Sequence, residues 1–118
     1  MSLHSDLPIY RTARELQNVL AGAVVHMRKE AKPLLGRMLL EEVYWLGPQI
    51  LRANIARDAA KVPENLAILE QLDVVQNMLR DAREHKLLPN SVWERCLPIM
   101  VSAGKQATSW KNIFAPAP

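Results

Sequence analysis

The side chains that most often carry chemistry are scattered in this sequence. His4, His26 and His85 are far apart, and no His-x-x-x-His or Glu-x-x-His pair exists. A dimetal centre inside a helical bundle needs carboxylate and histidine ligands on facing helices, so the spacing argues against one. Glu41 and Glu42 are adjacent and diverge on a helix, so they cannot share one ion. Cys96, between Arg95 and Leu97, is the single cysteine. A neighbouring cation lowers a thiol pKa, while burial makes the thiol inert, and the second reading is the more frequent. Glycines stand singly at 22, 36, 47 and 104, so no glycine-rich phosphate loop is present. The expectation is a protein that is not an enzyme and holds no cofactor or metal.

What remains is arginine chemistry. Arg11 with Arg14, and Arg80 with Arg83, are three residues apart and can share a helix surface. Arg52 and Arg57 stand near the end of another apolar-periodic segment. Guanidinium groups at such spacing suit a phosphate backbone, bound without sequence preference. The competing account is an ordinary solvated face, balanced by Glu15, Asp58, Asp81 and Glu84. Glu42 and Arg80 also fall near core stripes, which allows an ion pair between helices that fixes register.

Four prolines locate the elements that would position these groups. Pro8, Pro33, Pro63 and Pro89 each stand at or just before a long apolar-periodic segment. Proline at a first helical position loses nothing, because that N–H has no partner within the helix. The first rod runs from about Pro8 to Arg28, with Ile9, Ala13, Leu16, Leu20, Ala23 and Met27 in one stripe. The second runs from about Pro33 to Ala60, with Leu35, Leu39, Val43, Leu46 and Ile50, and Pro48 predicts a kink through the lost bond to Tyr44. The third runs from Pro63 to about Lys86, with Leu66, Leu69, Leu72 or Asp73, Val75 or Gln76, and Leu79. The fourth begins after Pro89, where Ser91 and Glu94 resemble a capping box, and Pro98 predicts a second bend. Short connections between rods predict an all-α, antiparallel up-down-up-down four-helix bundle over residues 1–114, with 115–118 as a frayed tail.

Composition agrees with one helical domain. The chain has 118 residues, 49% of them hydrophobic and only 5% aromatic, which suits aliphatic helix packing. A net charge of +3 permits an acidic or nucleic-acid partner without requiring one. No apolar run reaches transmembrane length, the polar start lacks the core of a signal peptide, and one cysteine fits a reducing compartment. The cytoplasm, with no membrane contact, is the expected location. On the second rod Leu40 and Tyr44 lie to one side of the stripe and Met38 and Trp45 to the other, so the apolar arc is wider than one bundle face needs. Either this helix is central and covered on several sides, or the arc meets another subunit, which makes Met38, Leu40, Tyr44 and Trp45 the candidate contacts of a homo-oligomer. Trp45 and Trp110 otherwise read as packing anchors rather than base-stacking platforms.

Taken in order, several stretches resemble the Avd family, the accessory proteins of diversity-generating retroelements, and the related ribosomal-RNA intervening-sequence proteins. They are Leu7-Pro8-Ile9-Tyr10, Leu35-Gly36 through Arg52-Ala53-Asn54, Leu72-Asp73, Leu79-Arg80, and the closing Lys105-Gln106 with Trp110-Lys111. The resemblance implies a four-helix bundle, assembly as a ring of five, and nucleic-acid (DNA or RNA) binding through a basic surface beside a reverse transcriptase. Where accessory members carry arginines on the third helix, this chain has Gln76 and Asn77.

Overall fold

In the computed structural model, residues 6–116 are described; the polar start, 1–5, and the last two residues of the expected tail, 117–118, lie outside them. The described residues form helices joined by turns and contain no strand. Helix α1 spans Pro8–Val25, α2 Arg37–Tyr44, α3 Leu46–Ile55, α4 Lys61–Glu84 and α5 Asn90–Phe114. A π-helical turn at Lys32–Gly36 leads into α2, and a short 3-10 turn at Asp58–Ala60 leads into α4. Helices α2 and α3 form one bent rod, so four rods build the molecule. Each rod packs chiefly against two others: α1 against the bent rod and α5, and α4 against the same two. That arrangement is compatible with a helical bundle, and α4 and α5, each about 36 Å long, set its 48 Å long axis.

The core is aliphatic. Leu16, Leu20, Leu39, Leu46, Ile50, Ile68 and Leu79 are fully buried. Each such side chain contributes about 1.5–3 kcal/mol relative to exposure. The stripes expected on α1 and the bent rod are the ones buried, with Ala23 and Leu35 half-buried. On α4 the phase differs at the start. Leu66 is exposed, and the inward row is Asn65, Ile68, Leu72, Val75, Leu79 and Ala82. A polar residue occupies the first inward position, and its amide nitrogen is satisfied by the Lys61 carbonyl at 2.9 Å.

Two expected local features take another form. Helix α5 starts at Asn90, with extended Pro89 before it and no side-chain cap, so Ser91 lies inside the first turn and makes no capping box. Pro98 sits within an unbroken α5 on its exposed side, where water can serve the carbonyl that proline leaves unbonded. Where a kink is expected at Pro48, the second rod is interrupted one turn earlier, at Trp45. The two carbonyls before the break accept amides from neighbouring helices, Val43 from Gln17 at 3.4 Å and Glu42 from Gln71 at 2.8 Å. The rod also ends sooner than expected, at Ile55, because Ala56 is extended and Asp58 takes a left-handed conformation, with φ of 50°.

Lys61 closes that end. Its ammonium donates to the Ala53 and Asn54 carbonyls, both at 2.9 Å, and lies 5.6 Å from the Trp110 ring centre and 5.5 Å from that of Phe114. At the other end α4 stops in a Schellman motif. The Leu87 amide bonds the Ala82 carbonyl and the Lys86 amide bonds that of Arg83, with Lys86 at φ 58° in the place glycine prefers.

Candidate nucleic-acid and assembly surfaces

The six arginines singled out by spacing are all at the surface, Arg83 half-buried and the others exposed. None of them is in an ion pair among the described residues, where the pairs are Arg28–Glu30 and Arg37–Glu41. The balancing partners Glu15, Asp58, Asp81 and Glu84 therefore do not hold them. Nor does Glu42 pair with Arg80: its carboxylate accepts from Gln71, while Arg80 donates to Asn77 at 3.3 Å.

The arginines fall into groups. Arg83 lies over the Trp93 ring at 4.5 Å and Arg80 at 5.9 Å, so one indole on α5 gathers both guanidiniums of α4. A guanidinium stacked by its face keeps the N–H donors of its edge available to an oxyanion. Arg11 and Arg14 share a surface depression of about 440 Å³ with Arg95, Glu15, Asn18 and Val19. Arg11 donates to the Asp6 carbonyl at 3.1 Å and Arg14 to the Gln17 amide oxygen at 3.2 Å. Arg52 stands apart from both groups, 5.6 Å over Trp45. Arg57 precedes the 3-10 turn at the end of the bent rod and joins no group.

Sequence spacing missed Trp93 and Arg95. Two residues apart, they project to opposite flanks of α5, one toward α4 and the other toward α1. A helix carrying an aromatic and a basic residue at that offset was the available signal. Arg95 also acts on Cys96, where burial pushes the thiol up to about 11 and the nearby guanidinium opposes the rise. Cys96 is buried and free, an inert packing group.

A second surface is apolar. Along the outer side of the π-helical turn, α2 and α3, Leu34 is 70% exposed, Ile55 59%, Trp45 51% and Tyr44 47%, with Met38 and Leu51 also exposed. Trp45 is thus no core anchor, whereas Trp110 packs half-buried against the core. Leu40, expected beside Tyr44 in this surface, is half-buried and packs against the core, as its position nearer the inward stripe dictates. On another side, an apolar groove of about 410 Å³ runs between the start of α1 and the end of α5, lined by Leu7, Ile9, Trp110 and Ile113 with Lys105 beside them.

No group of three or more His, Cys, Asp or Glu side chains among the described residues could hold a metal ion. No helix among them is long and apolar enough to cross a membrane. No family model, curated protein or solved structure matches the chain.

Proposed function

We propose that this chain is a non-catalytic, cytoplasmic, homo-oligomeric four-helix-bundle protein that binds nucleic acid, as an accessory of a reverse transcriptase in a diversity-generating retroelement. The observation that carries the nucleic-acid reading is the state of the arginines: six exposed or half-exposed guanidiniums, none in an ion pair among the described residues. Charge that is not neutralised internally attracts phosphate and releases its counterions. The retroelement setting rests on the sequence resemblance alone. Labelled single- and double-stranded DNA and RNA, titrated from low to near-physiological salt, test the reading. Salt-sensitive binding that weakens with Arg80→Ala and Arg83→Ala together is the expected result. No binding at low ionic strength leaves a protein-interaction scaffold, the second reading, which the exposed apolar face favours.

The antiparallel topology is supported by matched contacts. Between α1 and the bent rod with its π-helical turn, Gln17 meets Val43 and Val24 meets Gly36, seven residues forward on one side and seven back on the other. Between the bent rod and α4, Glu42 meets Gln71 and Gln49 meets Glu64 in the same progression. For assembly, six large apolar side chains about half exposed present on the order of 500 Å², at the upper end for the surface of a lone subunit. The face and the apolar groove lie on different sides, as the heterologous contact of a closed ring requires; a ring of five follows from the resemblance. Light scattering at micromolar concentration should return a multiple of the subunit mass, and Tyr44→Glu with Trp45→Glu should return a folded single subunit. A single-subunit mass for the unaltered protein refutes the assembly.

A further inference from the structure

We propose that the depression between α1 and α5 is a discrete phosphate seat, with Arg95 as a binding residue beside Arg11 and Arg14; this rests on the nucleic-acid reading above. Three guanidiniums from two helices line one concavity of about 440 Å³. Like charges gathered in one concavity repel one another, and an anion among them lowers that cost. None of the three is in an ion pair among the described residues, although Glu15 lines the same concavity. The anchors of Arg14 and Arg11 are neutral oxygens instead. Arg14 is held by Gln17, a buried amide itself fixed to the Val43 carbonyl, and Arg11 is held by the Asp6 carbonyl. An anchor of this kind sets the position of a guanidinium and leaves its charge for a ligand. The ligand class is the phosphodiester of a nucleic-acid backbone. Glu15 within the seat opposes any phosphate and keeps the contact weak.

The experiment measures fluorescence anisotropy of a labelled single-stranded oligonucleotide against the full chain and four variants: Arg95→Gln, Arg14→Gln, Glu15→Gln and Arg28→Gln. Arg28 is the control, since it is already paired with Glu30. Loss of one phosphate contact on a single strand should lower the slope of log K against log salt by about 0.7, a roughly fivefold loss of affinity near 0.1 M salt. Arg95→Gln and Arg14→Gln should each show this, Glu15→Gln should bind more tightly, and Arg28→Gln should be unchanged. Far-UV circular dichroism of each variant confirms that it remains folded. If the unaltered protein binds and Arg80→Ala with Arg83→Ala weakens it, but folded Arg95→Gln behaves as Arg28→Gln does, the seat is wrong and the wider reading stands. If the unaltered protein shows no salt-sensitive binding, both fall.

Discussion

Replacing Lys61 with methionine keeps the aliphatic stem and removes the charge that joins three helix ends. The wild-type ammonium donates to two carbonyls at the C-terminus of α3 and faces the Trp110 and Phe114 rings of α5. Those carbonyls lie in the last turn of α3, where the chain leaves the helix at Ala56. Ala53 is fully buried, so water is a poor substitute at its carbonyl, whereas Asn54 is half-buried and more accessible. A hydrogen bond from a charged donor contributes ~1.5–3 kcal/mol, and a cation over an exposed ring ~0.5–1 kcal/mol. Dehydrating the half-buried ammonium offsets much of that sum. The net expected loss is about 2 kcal/mol. With an unfolding entropy of about 2.1 cal/mol/K per residue, 118 residues give a fall in Tm of ~8 °C. Thermal and urea melts followed by circular dichroism measure it, with Lys105→Met, an exposed lysine, as the control. A double-mutant cycle with Trp110→Leu should return a coupling of about 0.5–1 kcal/mol. A Lys61→Met loss below ~0.5 kcal/mol, the range of an ordinary surface change, refutes the reasoning.

Three further outcomes follow from single side chains. Lys86→Gly should raise stability by about 0.5 kcal/mol or more, because the left-handed backbone that costs a lysine ~1–2 kcal/mol suits glycine, whose greater unfolded freedom offsets part of the gain; a denaturant midpoint that falls would contradict it. Gly36→Ala should cost about 1–3 kcal/mol, since its Cβ would meet Val24 Cγ1 at 2.8 Å. Gly22→Ala, exposed within α1 and with open space at that position, should instead stabilise by about 0.5–1 kcal/mol, and equal effects at the two glycines in urea melts would refute the packing argument. Cys96 should resist thiol reagents near pH ~8 until the protein unfolds. Its thiol pKa rises from 9.0 to about 11 on folding, so its stabilisation is complete below the unfolded value and is lost as pH climbs through that window; a Cys96→Ala variant with an unchanged slope of stability against pH there would show the linkage to be absent.

The number of rods and most of the core were legible because proline position and aliphatic spacing act locally. Pro8 stands at the first position of α1, and Pro63, two residues into α4, still falls among donors that need no partner. Ile9, Leu16 and Leu20 or Leu39, Leu46 and Ile50 announce an inward face by type and period together. The reading slipped where a core position is polar. Asn65 is fully buried at the head of the α4 row, and a pattern search that counts apolar residues passes over it to Leu66. Helix ends slipped for a related reason: Lys86 and Asp58 hold left-handed conformations that sequence assigns first to glycine. The arginines were legible as individuals, since charge and exposure go together. Their grouping was not, because it depends on which flank of α5 carries Trp93 and which carries Arg95.

The bend in the second rod ties the fold to its arginine surface. Pro48 cannot donate to the Tyr44 carbonyl and the helix breaks at Trp45; one and two residues before Tyr44, the Val43 and Glu42 carbonyls are reached by amides from other helices. Gln71 takes Glu42 from the α4 side and Gln17 takes Val43 from the α1 side. A buried amide that bonds only one way costs stability, so Gln17 must place its oxygen as well as its nitrogen. Its oxygen accepts from Arg14, which thereby reaches the α1–α5 depression from a fixed base rather than as a loose surface chain. The same break leaves Trp45 and Tyr44 outside, beside Pro48, at the centre of the exposed apolar face. The outward apolar face and, through Gln17, the anchor of a guanidinium thus meet on either side of one short stretch of the second rod.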